Sequence, residues 1–565
     1  MNMKKALIAL AGAAILLSAP LRIRPSAQES TPGKEKIIAV LGSSVAAGWV
    51  TSRVAKHDME NGYAQRLGRL LGPRGFRIVN VSVPGDTTEK VLARMDKDLF
   101  PLKPDFVVIA LSLENEGTRG LWGKDADQVY AGFKAGLREI IDRCRQQGII
   151  PILGTCYPND NFTQAAHYTH IKNMNLEIGA WDVPSINQLG ALDNGDGQFV
   201  PGIAFDLDHP ADLGHRELFY SVVPSLFQAL AAGKPLPVKD TSSGSAALGR
   251  AGSKVGLLSH VPADPVHSFT SVLEFLPRSK GVLTTVLGLN GALAVLSISA
   301  EGHLAYISTG GAAKTLRTSF LDQAWHHLGI VHHGLKNETV IYIDGMPGEA
   351  IQETLRPVQF TVGGAESAEA ECRDWMIFRA PLNSDEMRRL SSGVLLKSSL
   401  EVYAPLREEI LRPNHEAVNR AQSLAKVIAS PTDAERDIAR LRAEWKREEE
   451  EEKTFVDSQE KRAVPVALEI LEACVGTYEG PPGLLLTVER RGTRLLLHLN
   501  GGREGTVELF PLSPERYFVK SVGPEIEVLF SSAKNEDGRP ASLLLKIDSQ
   551  EIPAKRSPSS GTNLT

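Results

Sequence analysis

Short apolar runs alternating with amphipathic stretches set the tightest limit on how the first third of this chain folds. Between Lys34 and about Gly233, the runs Ile37–Leu41, Arg77–Val81, Phe106–Leu111 and Ile149–Leu153 read as strands. Tyr63–Leu71, Thr88–Leu99 and Ala126–Gln147 read as helices between them. A strand that is apolar at nearly every position is buried on both faces, as in a parallel sheet covered by helices. The rhythm is that of βαβ units.

At 565 residues the chain is too long for one core, and its pattern changes three more times. A polar linker with Pro235, Pro237 and TSSGSAALG is expected over 234–254. Residues 255–406 turn to short β-rich runs, clearest at Val272–Leu276, His303–Ser308, His326–His332 and Thr339–Ile343, with Asp344-Gly345 suited to a hairpin. That pattern is expected to form a β-sandwich. Residues 407–463 read as a helical connector, with Ser430-Pro431 as a start signal, Ile438, Leu441 and Trp445 at helical spacing, and Glu448–Glu452 as a solvated face. Residues 464–556 return to short strands and are expected to form a small β-barrel, and 557–565 a disordered tail.

Composition excludes some partners. With 62 Lys and Arg against 67 Asp and Glu, the net charge of −5 argues against nucleic acid or an anionic membrane. Lys4 and Lys5 precede the apolar stretch Ala6–Leu17, too short to span a bilayer, so residues 1–27 read as an export signal cut after Ala19 or Ala27. The mature chain is then expected to be periplasmic or extracellular, with no integral membrane segment. Four scattered cysteines, Cys144, Cys156, Cys372 and Cys474, form neither a disulfide framework nor a metal-like pair, and read as buried apolar residues. The sequence leaves the oligomeric state open.

Two short strings carry the chemistry. GSSVAAG, Gly42 to Gly48, directly follows the first strand, and the carboxyl ends of parallel strands are where open α/β sheets build sites. DLDHP, Asp206 to Pro210, sets an acid and an imidazole three residues apart. A serine hydroxyl needs a base to take its proton and a third group to hold that base. The two strings together contain all three groups, although each alone also suits a purely structural turn.

In these residues the first domain resembles the SGNH, or GDSL-type, serine hydrolases, which have a flavodoxin-like α/β/α fold. The family's first block, Gly-Asp-Ser with a later glycine, aligns with Gly42-Ser43-Ser44 and Gly48 and implies Ser44 as nucleophile, Ser43 replacing the usual aspartate. NVSVPGDTT, Asn80 to Thr88, is similar to the second block and implies Gly85 as a backbone donor to the oxyanion. Without the resemblance, Gly85 closes a loop and Asp86 or Thr87 caps the next helix. The third block, usually Gly-x-Asn-Asp, departs from the pattern as Ser112-Leu113-Glu114-Asn115-Glu116-Gly117. A strict count puts Glu114 at the asparagine position, where a carboxylate would repel an oxyanion; a one-residue bulge brings in Asn115, the preferred register. The Asp-x-x-His block implies His209 as general base and Asp206 as its orienting acid, with Asp208 and His215 as competitors. The implied oxyanion hole is the Ser44 N–H, the Gly85 N–H and the Asn115 amide, and the chemistry needs neither metal nor cofactor.

Residues 255–406 are similar to concanavalin-like, laminin-G-type jelly rolls, in WHHLGIVHH at Trp325–His333, VIYIDG at Val340–Gly345 and MIFRAPLNSDEMRRL at Met376–Leu390. This resemblance implies a sandwich that binds carbohydrate or packs on a neighbour. The histidines of the first string do not read as a metal site, because His326 and His332 share a strand face about 20 Å apart. VGTYEGPPGLLLTVERRGTRL and QEIPAKR resemble a small β-barrel domain appended to some serine hydrolases. The function expected is an exported esterase acting on acylated small molecules or glycans, acetyl esters among them. A lipase or lysophospholipase on the same triad is one alternative, and a non-catalytic glycan-binding scaffold the other.

Overall fold

The computed structural model describes residues 35–49, 61–118, 125–160, 165–248, 257–364, 366–407, 416–429, 434–459, 463–482, 484–499, 506–519, 526–547 and 550–557. The first domain is a wholly parallel sheet of β1 (Lys36–Gly42), β2 (Phe76–Asn80), β3 (Phe106–Ala110), β4 (Ile150–Gly154) and β5 (Ser185–Ile186), in the order β2-β1-β3-β4-β5. Its helices are α1 (Ser44–Ala47), α2 (Tyr63–Leu71), α3 (Thr88–Asp98), α4 (Ala126–Gln146), α5 (Ala165–Ala180), α6 (Gln188–Leu192), α7 (Asp212–Tyr220) and α8 (Leu226–Ala231).

The unbroken apolar runs have a direct structural meaning. Ile38, Val40, Phe106 and Val108 pack against Tyr63, Leu67 and Leu71 of α2 and Phe227 of α8. The residues between them, Ala39, Leu41, Val107 and Ile109, pack on the other face against Val91 and Met95 of α3 and Phe133 and Leu137 of α4. Alternate side chains thus serve two separate cores, the three-layer arrangement expected. β5 has only two residues and no apolar run of its own, so no periodicity announces it.

The second domain is a sandwich of two antiparallel sheets. One runs from Ala313–Arg317 to Glu416–Ala417 and the other from Met346–Pro347 to Leu400–Ala404. Asp344 and Gly345, at φ of 53° and 79°, make the hairpin turn that pairs Ile343 with Met346. Two boundaries differ from expectation. Ala246–Leu248, assigned above to the linker, is a strand paired with Ala370–Phe378. Within the expected helical segment, Glu416–Ala417 and Val427–Ile428 instead extend the first of these sheets at its edge. Strands this short carry no period, and backbone pairing decides them.

The long helix begins at Ala434 and ends at Gln459; Ser430-Pro431 lies outside the described residues. Ala434, Ile438, Leu441 and Trp445 lay one stripe against Val358, Leu287 and Leu289 of the sandwich. The acidic run that follows is not uniformly solvated. Glu448 turns inward to Tyr220 and His267, and Glu449 pairs with Arg356. The side chains of Glu451 and Glu452 lie outside the described residues.

The third domain is a closed antiparallel barrel of eight strands, its first, Gly476–Glu479, pairing with its last, Gln550–Arg556. The expected export signal and residues 558–565 of the expected tail lie outside the described residues. Among the described residues no helix is long and apolar enough to cross a membrane, and no group of three or more His, Cys, Asp or Glu could hold a metal ion. The four cysteines are free and buried. Three of the four strand histidine side chains find separate partners: His326 lies between Asp322 and Asp344, His332 on Thr339, and His333 on the Asp193 carbonyl.

His267 joins three elements. Its Nδ1 meets Glu217 of α7 at 2.7 Å, its Nε2 meets Glu448 of the long helix at 2.9 Å, and its ring stacks on Tyr220 and Trp445. Burial alone would strip its proton, but the two carboxylates outweigh burial and raise its pKa above the ordinary imidazole value. Its stabilising contribution is therefore full below about pH 6.5 and lost as pH rises through the raised folded value. Glu217, held below its ordinary value by His267 despite burial, contributes above about pH 4.5 and loses that contribution as pH falls through its folded value. Replacing His267→Ala should cost about 3–5 kcal/mol near pH 6, because it leaves two carboxylates buried together. Melting midpoints of wild type and variant should converge as pH rises above neutrality; a gap independent of pH would contradict a charged His267.

Candidate active site

Ser44 sits two residues beyond the carboxyl end of β1, at the first position of α1. The approach to it is tight. A Cβ on Gly42 would run into the Ala110 carbonyl of β3 and come within 2.6 Å of Ala46 Cβ, so glycine is required by contact. Asn80, at the end of β2, donates to the Ala46 carbonyl at 2.8 Å and ties α1 to the sheet. The first N–H groups of a helix have no partner within it, so the Ser44 N–H is left unpaired by α1 itself.

The DLDHP string lies across this crevice. His209 Nε2 stands 2.9 Å from Ser44 Oγ, and His209 Nδ1 stands 2.8 and 2.9 Å from the two Asp206 carboxylate oxygens. These partners assign the tautomer: Nδ1–H donates to Asp206, and Nε2 accepts from the serine hydroxyl. Asp206 Oδ1 also accepts the backbone N–H groups of Asp208 and His209 at 2.8 Å. Burial works against the Asp206 charge, but His209 and those N–H groups overcome it and hold the carboxyl below its ordinary value. The loop closes on itself through Phe205 N–H to the His209 carbonyl at 2.8 Å.

Asp208 enters the site through its backbone N–H. His215 does not compete for the base position: it is fully buried within α7, its Nδ1 accepts the Tyr63 N–H at 3.3 Å, and burial lowers its pKa to about 3. It locks α7 to α2.

Gly85 occupies the third position of a turn whose Asp86 N–H donates to the Val83 carbonyl at 3.1 Å. With Pro84 before it and φ of 77°, this is a type II turn, which favours glycine at that position. A Cβ there would meet nothing among the described residues, so conformation rather than lack of space demands glycine. Thr87 caps α3, accepting the Lys90 N–H. After β3 the chain forms a π-type turn, Glu114–Thr118. Asn115 Nδ2 donates to the Asp86 carbonyl at 3.1 Å, beside Gly85, while Glu114 is buried within electrostatic reach of Tyr157. The Tyr157 hydroxyl faces Ser43 and Ser112.

Residues 40–217 match the family model described as the GDSL-like Lipase/Acylhydrolase family. The domain that carries Ser44 is a GDSL-like lipase/acylhydrolase domain. No curated protein matches the chain. Among solved structures it is similar to Axe2, an acetylxylan esterase from Geobacillus stearothermophilus, at 20% identity over 34% of this chain and 94% of that one, with a TM-score of 0.27. It is also similar to TesA, at 22% identity over 33% of this chain and 95% of that one, with a TM-score of 0.26. The chain thus carries an ester-hydrolase domain of the GDSL-like type over residues 40–217, with β domains downstream of it.

The GDSL-like domain also holds residues that sequence reading missed. Asp160, after β4, donates its N–H to the Leu207 carbonyl inside DLDHP at 2.7 Å, and its Oδ1 accepts the Phe199 N–H at 3.0 Å. Trp49 packs with Phe205 and Ala211 on the flanks of that string. Asp160 follows a strand at the sheet's carboxyl end, a positional hint; no local pattern marks Trp49 or Phe205. Because Gly42 sits against Ala110, Gly42→Ala should destabilise the chain by about 1–3 kcal/mol. A shift of the chemical denaturation midpoint would show it, and an unchanged midpoint would contradict the close approach.

Proposed function

We propose that this chain is an exported esterase that removes short acyl groups, acetyl foremost, from a carbohydrate, with Ser44, His209 and Asp206 as its catalytic triad. The unbroken hydrogen-bond chain from Ser44 Oγ through His209 to Asp206 carries this proposal. His209 Nε2 takes the Ser44 proton as Oγ attacks the ester carbonyl carbon. The tetrahedral oxyanion is met by the Ser44 N–H, the Gly85 N–H and the second N–H of the Asn115 amide, the first being spent on Asp86. Collapse expels the alcohol, which takes the proton from His209, and a water activated by the same base releases the acid from Ser44.

Export is supported by the basic and then apolar pattern of Lys4, Lys5 and Ala6–Leu17. A carbohydrate substrate is supported by a cleft of about 270 Å³ between the hydrolase domain and the sandwich, which the triad does not line. Its polar side chains are held in place: Tyr168 by Asp193, Tyr342 by Ser384, and Lys172 by Asp385. Preset polar groups of this kind orient hydroxyl-rich ligands.

Labelling of the purified protein with a fluorophosphonate tests the triad. Wild type should label and Ser44→Ala should not; a folded wild type that does not label would leave the scaffold alternative standing. Asn115→Ala should lower kcat on p-nitrophenyl acetate about a hundredfold or more, close to 3 kcal/mol of barrier, and Glu114→Gln far less. The reverse ranking would place Glu114 at the oxyanion. Tyr342→Ala should raise KM for an acetylated oligosaccharide several-fold while leaving p-nitrophenyl acetate turnover unchanged. Equal effects on both substrates would remove the cleft from sugar binding, and preference for long acyl chains would favour the lipase alternative.

A further inference from the structure

The C-terminal barrel touches the hydrolase domain through a charged contact beside the triad. Arg494, at the start of the barrel strand Arg494–Leu499, places its guanidinium 2.6 Å from Asp160 Oδ2 and 2.7 Å from Glu508. Asp160 is only 2% exposed. Its remaining bonds lead into the site: the N–H to the Leu207 carbonyl, one residue past Asp206, and Oδ1 to the Phe199 N–H. Among its described residues the barrel supplies no nucleophile, base or oxyanion donor, yet its arginine is one bond removed from the loop that carries Asp206 and His209.

We infer that Arg494 is a positioning residue for ester hydrolysis, holding the Asp206–His209 loop in register with Ser44 by fixing Asp160. The inference rests on the triad proposed above. A carboxylate buried to this degree needs a cation to remain charged in place. Burial raises the Asp160 carboxyl above its ordinary value, Arg494 opposes that rise, and Glu508 adds to it. Without Arg494, Asp160 either takes up a proton or turns toward water, and either response shifts the peptide that holds Leu207. Displacements of about 1 Å at a catalytic group are enough to cost two orders of magnitude in rate. The barrel thus completes the hydrolase site from the far end of the chain.

The test uses the full-length protein, p-nitrophenyl acetate turnover and the rate of fluorophosphonate labelling. Arg494→Ala should lower kcat and the labelling rate about tenfold to a hundredfold, with KM within about twofold of wild type. The acid limb of its kcat/KM profile should move to higher pH, because the buried Asp160 loses its opposing cation. Arg494→Lys, which keeps the charge, should restore most of kcat. Asp160→Asn breaks the same link with the barrel untouched, and the double variant Arg494→Ala/Asp160→Asn should be no worse than either single one. Arg490→Ala, which removes an exposed pair with Glu472 on the same barrel, should leave kcat unchanged.

Wild-type kcat and an unshifted profile in folded Arg494→Ala would overturn the inference. So would losses that multiply in the double variant. If Arg494→Ala does not fold, Asp160→Asn decides alone: full activity and an unshifted profile overturn the inference, and the stated losses sustain it. Failure of wild type to label at all would instead strike the triad, and is distinguishable from every outcome above.

Discussion

Beside β1 the parallel sheet reverses its order, with β2 on one flank and β3 on the other. Connections leaving the two sides of that point cross to opposite faces and open a crevice above the strand ends. β1, β3 and β4 are buried on both faces and packed tightly, so whatever emerges from them is held in fixed relation. Four strand ends each contribute one part: Ser44 follows β1, Gly85 follows β2, Asn115 follows β3 and Asp160 follows β4. The Asp206–His209 loop arrives last and is received by Ser44 on one side and Asp160 on the other. The tight approach of Gly42 to Ala110 aims the first of these parts, and the others are arranged around it.

The same economy governs how the domains meet. β5 is the last strand of the parallel sheet on that side, and an exposed strand edge invites unwanted pairing. The sandwich covers it: Ser399 N–H donates to the Ser185 carbonyl at 2.9 Å, and Ser185 Oγ meets Ser398 Oγ at 2.8 Å. Glu386, buried in this seam, accepts the side-chain amides of Asn175 and Asn187, each at 2.8 Å, and burial raises its carboxyl to about 7. His267 with Glu217 and Glu448 does similar work where α7 meets the long helix. Polar groups in such places are tolerated only when each has its partner in the right direction, so they set the angle between domains more strictly than apolar contact does. α7, which follows the DLDHP loop directly, is thereby braced by two other parts of the chain.

Much of this was legible in particular residues. The runs around Ile38 and Phe106 declared a sheet buried on both sides, because every second side chain had to find an apolar layer. GSSVAAG and DLDHP named Ser44, Asp206 and His209, and the structure brings those three side chains together. Gly85 was legible as the close of a loop, whereas the type II turn around it and the π-type turn Glu114–Thr118 emerged only in the fold. The two-residue strands at Ser185–Ile186, Glu416–Ala417 and Val427–Ile428 left no trace, since they exist only by pairing with a neighbour. Glu448 looked like part of a solvated acidic face because one helix face is defined by what packs on it, and its partners lie far away in sequence.

Local chemistry and periodicity were therefore enough to determine the layers of the first domain, the barrel and sandwich character of the others, and the residue types that meet at the crevice. Those properties follow from side chains within one strand, one turn or one loop, where spacing along the chain is a sufficient guide to spacing in the fold. Only the tertiary structure decided that His215 is a buried brace, that the Asn115 amide reaches the Gly85 turn, and that Arg494 stands behind the DLDHP loop through Asp160. Each of these depends on two segments that are distant in the chain being brought within hydrogen-bond distance. That proximity is set by the packing of whole elements and is written in neither segment alone.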